Sequence, residues 1–226
     1  MEKAWNGFNT TLFAYGQTGS GKSYTQFGYG ANIGIIPKCA DELFKRIEGN
    51  TDKDITFQVS VRMIEIYCER LQDLLSNKKG EKELKIRQIA GQVTIPDATV
   101  EPVNSYKQIK SHMDRGDKNR SIGGTKMNAT SSRAHTVVTI AFKKITANPT
   151  PGKPPLTMAS DINLVDLAGS EKSDQAGTSG DRLKEGNAIN QSLTSLGNVI
   201  EALAENSKGG KQKFVPYRDS NLTRML

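Results

Sequence analysis

Residues Gly16-Gln17-Thr18-Gly19-Ser20-Gly21-Lys22-Ser23 fit the pattern G-x-x-x-x-G-K-[ST] without a mismatch. Glycines let a backbone wrap closely around a polyphosphate, with several N–H groups pointing inward. A helix beginning near Lys22 adds its positive N-terminal end. In this pattern the lysine reaches the β- and γ-phosphates and the Ser23 hydroxyl ligates Mg²⁺. The plain alternative is a glycine-rich turn with an incidental lysine. Context favours the phosphate loop, because a short apolar run, Thr10–Tyr15, precedes it as a strand and a helix is expected from Lys22.

Two further clusters have chemical potential. Ile162-Asn163-Leu164-Val165-Asp166 is an apolar strand ending in an acid, followed by Leu167-Ala168-Gly169-Ser170-Glu171. An acid at a strand end beside a phosphate loop can hold a metal-bound water. A glycine three residues on can offer its N–H to a terminal phosphate present in one state and absent in the next. Alone, such an Asp is more simply a turn residue. The third cluster is Asn128-Ala129-Thr130-Ser131-Ser132-Arg133-Ala134-His135, whose two hydroxyls, Arg and His can line a Mg²⁺–phosphate site. On spacing alone a Ser/Thr-rich loop is the plainer reading.

The remaining pattern supplies the elements that must position these groups. Pro37 opens a helix with Ala40, Leu43, Phe44 and Ile47 on one face. Residues 54–61 alternate as a strand that continues to Tyr67, and Arg70–Leu75 reads as a short helix. Leu84–Arg87 and Val93–Ile95 are weak strands, Ser105–Met113 a helix, and His135–Ile145 a β-branched strand that forms a hairpin with Ile162–Leu167. From Leu183 the chain turns helical, with Ile189, Leu193, Leu196, Ile200 and Leu203 as one apolar stripe. Another helix starts at Ser220. This mixture predicts an α/β domain, a P-loop NTPase with a mixed central β-sheet flanked by helices.

Composition narrows the class. The 226 residues suffice for a real core, and 24% charged with 35% hydrophobic residues argues against disorder. Two cysteines, Cys39 and Cys68, are too few for a disulfide scaffold and fit a reducing compartment. No apolar run approaches the ~20 residues of a membrane span, so no membrane insertion is expected. The net charge of +7 is concentrated: residues 103–145 hold nine basic and two acidic side chains, and 206–226 hold five and one. That balance suits an anionic partner. Nucleic acid binding would rest on charge alone and is not expected.

Taken in order, the three clusters resemble the nucleotide site of kinesin motor domains: a phosphate loop, a first switch of the form N-x-x-S-S-R-S-H and a second switch D-L-A-G-S-E. Phe214-Val215-Pro216-Tyr217-Arg218-Asp219-Ser220-Asn221-Leu222-Thr223-Arg224 resembles that family's tubulin-facing loop and helix, and Gly7-Phe8-Asn9, Glu65-Ile66-Tyr67 and Leu183-Lys184-Glu185-Gly186 also match. Glu65–Arg70 leans towards the vesicle-transport branch. The resemblance implies a microtubule-stimulated ATPase in the cytoplasm, on the microtubule cytoskeleton, with ATP and Mg²⁺ as cofactors and tubulin as partner.

By the same resemblance Gly16 to Ser23 bind nucleotide and Tyr24 stacks on adenine. Ser131 touches the γ-phosphate. Ser23 and Ser132 ligate Mg²⁺, and Asp166 holds it through a water. Arg133 and Glu171 form a salt bridge that closes the switches, Gly169 senses the γ-phosphate, Glu171 helps take a proton from the attacking water, and Asn190 supports that region. Lys172, Arg182, Lys184, Lys211, Lys213, Arg218 and Arg224 are the candidate tubulin contacts. Ala134 replaces the family's usual serine, and Gln191 and Asn221 stand where many kinesins carry lysine. The family's strands before the phosphate-loop strand, and its last strand, helix and neck linker, have no counterpart in 1–226, so a partial motor domain is expected. Thr10–Tyr15 would then be an unprotected edge, which predicts poor solubility of the isolated chain and no directed stepping. Two alternatives stay open: a kinesin-like tubulin binder without productive turnover, and a P-loop switch NTPase with another partner.

Overall fold

A computed structural model describes residues 1–77, 84–89, 92–127, 133–148, 150, 152–171 and 181–226. In chain order the elements are α1 (Glu2–Trp5), β1 (Thr10–Ala14), α2 (Lys22–Phe27), β2 (Gly28–Tyr29), β3 (Asn32–Ile33), α3 (Ile35–Glu48), β4 (Ile55–Tyr67), β5 (Arg70–Asp73), β6 (Arg87–Ile89), β7 (Gln92–Thr94), β8 (Glu101–Val103), α4 (Tyr106–Met127), β9 (His135–Thr146), β10 (Leu156–Asp166), α5 (Asp181–Ser207) and α6 (Asn221–Met225), with a 3₁₀ turn at Tyr217–Asp219. The main sheet runs β1-β10-β9-β4-β5, with β8 also on β4. β1 pairs parallel to β10; the other pairs are antiparallel. Among the described residues β1 is an edge strand, with Leu12 41% exposed.

Strand alternation divides the core between the two sheet faces. Val59, Val61, Met63, Val138, Ile140, Phe142, Ile162 and Leu164 point to one side, under α3 and α4 (Ile36, Ala40, Leu43, Phe44, Ile109, Met113). Ile64, Ile66, Val137 and Val165 point to the other, under α5 and α6 (Leu196, Leu222, Met225). On the first face Trp5, Phe57 and Phe142 stack at centroid distances of 5.2–5.9 Å.

Four elements differ from the sequence reading. Arg70–Asp73 is a strand, not a helix. Cys68 and Glu69 both hold φ in the left-handed region (48° and 60°), which turns β4 straight back into a hairpin. α3 begins at Ile35 on Gly34, so Pro37 sits within its first turn, where its missing N–H costs no hydrogen bond. α4 runs on to Met127, well past Met113; it approaches β4 so closely at Gly116 that a Cβ there would lie 2.3 Å from Met63 Sδ. A glycine contact leaves no apolar period to read. On α5 the buried line is Ser192, Ser195, Leu196, Val199 and Ala202, while Ile200 and Leu203 are 49% and 43% exposed. Hydroxyl and small side chains share that contact with Leu193, Leu196 and Val199, so the apolar stripe finds the face at Leu193 and Leu196 and misplaces Ile200 and Leu203.

Candidate functional site

β1 and β10 are parallel neighbours with Ala14 opposite Asp166, so the phosphate-loop sequence and the Asp166–Glu171 segment leave adjacent strand ends together. Ligands in α/β sheets bind at such carboxyl ends. The two segments are stitched by backbone: Leu167 N–H donates to Ala14 O (3.2 Å) and Ser170 N–H to Gly16 O (3.1 Å). Gly21 takes φ 88° to turn the loop into α2, a conformation that suits glycine. Gln26, buried at the foot of that helix, donates to Val165 O (3.1 Å) and fixes α2 on β10. Its role was invisible in sequence.

Lys22, the first residue of α2, places Nζ 3.0 Å from Gly16 O and 2.9 Å from Gln17 O, inside the curve of the loop. The Ser23 hydroxyl donates to Asp166 Oδ2 at 2.5 Å. Asp166 has the same strand parity as Leu164 and therefore faces α2. It is buried, and its Oδ1 has no hydrogen-bond partner among the described residues. Burial pushes its carboxyl above the ordinary range, against the Ser23 hydroxyl and the charges of Arg120 and Lys22. A buried carboxylate oxygen with no donor, beside a hydroxyl, is a donor set that suits a hard, hydrated cation such as Mg²⁺. Ser131 and Ser132 lie outside the described residues.

Glu171 accepts the Thr18 N–H (2.9 Å) on Oε2 and the Thr18 hydroxyl on Oε1. Burial works against its charge, but the Thr18 donors and nearby Lys22 outweigh it and hold the carboxyl below the ordinary range. Among the described residues the hydrogen bonds of the Glu171 carboxylate go to Thr18. Two donors of the phosphate loop face its carboxylate across the Ser170–Gly16 link, whereas Arg133 lines a cleft with Cys68, Glu69, His135, Ile189 and Ser192. Gly169 lies against this contact: a Cβ there would come within 2.4 Å of Glu171 Oε2 and 2.5 Å of Thr18 Oγ1. His135 turns away from the phosphate site into the interior, towards Ala168 and Ser192. Asn190 is half-buried on α5. Tyr24 is 47% exposed, with its ring 6.1 Å from that of Tyr29, a neighbour that sequence reading missed.

The basic candidates are less uniform than their sequence suggests. Lys172 lies outside the described residues; Arg182 and Lys184 fall in the first turns of α5, and their side chains lie outside the described set. Lys211 is exposed. Lys213 pairs with Glu205, and Asn206 clamps the main chain of Lys213 through Oδ1 (2.7 Å) and Nδ2 (3.0 Å). Arg218 donates to Gln88 Oε1 (3.2 Å), and Arg224 donates to Ile86 O (3.4 Å) and Asn221 Oδ1 (3.3 Å). Asn221 donates its N–H to Glu69 Oε2 and its side-chain amide to Glu69 O, both at 2.6 Å, which binds α6 to the β4–β5 turn.

A parallel strand pair delivering a glycine loop, a lysine and an acid to one crevice defines a P-loop nucleotide-binding protein. The chain belongs to the kinesin family: the kinesin motor domain model matches residues 1–226. It is 47% identical to kinesin-related protein 1 of Dictyostelium discoideum, over 100% of this chain and 10% of that protein. It is 46% identical to the kinesin-like protein KIF28 of Mus musculus, over 100% of this chain and 22% of the relative. Its fold superposes on a KIF14 dimer with AMP-PNP in complex with a microtubule (TM-score 0.85, 40% identity, 99% of this chain and 63% of that one). It likewise superposes on a fast kinesin (TM-score 0.84, 37% identity, 99% and 61%). The chain therefore spans less than two thirds of the length of each of these proteins.

Proposed function

We propose that this chain is the ATP-hydrolysing core of a microtubule motor. The observation that carries the reading is the packing of Gly169 against the Thr18–Glu171 contact, at the point where Ser170 bridges to the phosphate loop. In this reading the Gly169 amide, the Glu171 carboxylate and the loop amides surround the position a terminal phosphate would take.

Each group then has a task. Lys22 exchanges its two loop carbonyls for phosphate oxygens and neutralises their charge. Ser23 and Asp166, with Ser132, are the residues that would hold Mg²⁺, Asp166 through a water. Bound there, the ion supplies charge neutralisation between phosphates. Glu171 keeps its carboxylate ionised at neutral pH, which suits it to orient the attacking water and draw off its proton. Tyr24 offers an exposed aromatic face to the base, next to Tyr29. Positioning and electrostatics of this kind account for phosphoryl transfer without covalent chemistry.

The partner is the microtubule, and the place of action the cytoplasmic cytoskeleton. Support comes from the KIF14 relatives solved on microtubules and from the basic, exposed Lys211 and Arg218 near α5 and α6, with the half-buried Arg224 beside them. The test is ATP turnover with and without microtubules. The expected outcome is turnover that rises with microtubules and falls about 10²–10⁴-fold in Glu171→Ala. Microtubule binding without turnover would instead identify a tubulin binder. Turnover that survives Glu171→Ala would remove the role of Glu171.

A further inference from the structure

His135 gathers the buried polar groups between β9, the second switch and α5. It is 2% exposed, as is Ser192, and Ala168 is fully buried. The Ala168 N–H donates to His135 Nδ1 at 3.0 Å. A backbone N–H can only donate, so Nδ1 carries the lone pair and Nε2 the proton. Nε2–H then donates to Ser192 Oγ at 2.8 Å, and the Ser192 hydroxyl donates to Ile189 O at 2.7 Å. The chain of donors runs in one direction, from the residue before Gly169 to the backbone of α5. A second ring proton would point N–H at N–H, and burial indeed holds the imidazole neutral, its pKa lowered to about 4.

The backbone of His135 is anchored in the sheet opposite Ile66. Its ring is held at one nitrogen by the Gly169 turn and at the other by α5. The ring is rigid, so the two hydrogen bonds move together. If Ala168 shifts when Gly169 engages a phosphate, the ring loses the bond that orients it, and its hold on Ser192 changes in the same movement. We propose that His135 is a positioning residue that links the γ-phosphate-sensing turn to helix α5. This rests on the motor reading above. It assigns the coupling to a side chain that touches neither the nucleotide loop nor the track-facing surface.

The experiment compares the full chain as wild type, His135→Asn, Ser192→Ala and the double variant. The readout is the ratio of microtubule-stimulated to basal ATP turnover, with melting temperature as the control for folding. Asn keeps an acceptor near the Nδ1 position and loses the reach to Ser192; Ser192→Ala cuts the same bond from its other end. Each is expected to lower the ratio about fivefold or more, and the double variant no further, since all three remove one link. A wild type that ignores microtubules takes down the motor reading and this inference with it. A responsive wild type whose variants respond equally, or whose losses add, overturns this inference alone. Should the variants fail to fold, the wild type still decides. It has two histidines, so the ring nitrogens of His135 can be followed by ¹⁵N NMR. Shifts that differ between ADP and AMP-PNP support the link, and identical shifts overturn it.

Discussion

The two faces of the sheet are built from the same strands and hold opposite kinds of core. Beneath α3 and α4 the buried side chains are mostly aliphatic and aromatic, closed by the Trp5–Phe57–Phe142 stack, with Thr136 and Ser160 as buried polar residues of the same strand parity. Beneath α5 and α6 the aliphatic cluster is interleaved with buried His135, Ser192, Ser195, Ser220 and Thr223. Apolar packing tolerates few alternatives, because each displaced atom loses its neighbours. Directional hydrogen bonds have partners that can be exchanged. The first face is therefore a platform, and the second is where the fold can keep two arrangements close in energy. Asp166 is a polar group on the platform side that fits: it points to the α2 side, at the rim, and there an oxygen without a partner among the described residues is suited to a ligand rather than to a neighbour.

The sharpest way to break this contrast is to damage the platform alone. Phe142→Ala removes a fully buried ring between two others and is expected to cost about 3–5 kcal/mol, read as a lower denaturation midpoint. The surviving folded fraction should keep its ratio of stimulated to basal turnover. A lost ratio would mean that both faces take part in switching.

Acid should find the other face first. The folded-state pKa of His135 is depressed from 6.5 to about 4, so the unfolded chain binds the extra proton between those values. The stability that depends on the neutral ring is fully present above pH 6.5 and is lost as pH falls towards 4. The slope contributed is at most about 1.4 kcal/mol per pH unit. Urea unfolding followed over that range should show a shallower acid limb for His135→Asn than for wild type. Parallel limbs would place the acid sensitivity in other groups.

What could be read in the sequence divides along the same line. The phosphate loop, β1, β9, β10 and the platform side of α3 were legible because glycine spacing and apolar alternation express themselves locally. The α5 face was legible only in part: Leu193 and Leu196 pack there, but Ser192, Ser195 and Ala202 carry little apolar signal. The direction of the His135 side chain follows from strand parity, two residues before the buried Val137, and parity has meaning only once the strand's first residue is known. Arg70–Asp73 was misread because two consecutive left-handed residues, Cys68 and Glu69, neither of them glycine, make the turn. The tie of Asn221 to Glu69 joins positions 152 residues apart, beyond the reach of any local pattern.

The smallest expected effect bears on the rim. Asp166 holds its raised pKa because burial disfavours its charge, so the fold carries a cost at neutral pH that a neutral isostere would relieve. Asp166→Asn should stabilise the nucleotide-free protein by about 1 kcal/mol, seen as a higher melting temperature near pH 7. The gain should shrink as pH falls through the raised pKa, where the wild-type carboxyl is itself protonated. The same change should abolish Mg²⁺-dependent tightening of nucleotide binding, since an amide is a poorer ligand for a hydrated cation. A variant that melts lower at neutral pH would show the carboxylate to be a structural acceptor for Ser23 first and a ligand second, and would move Asp166 back into the platform.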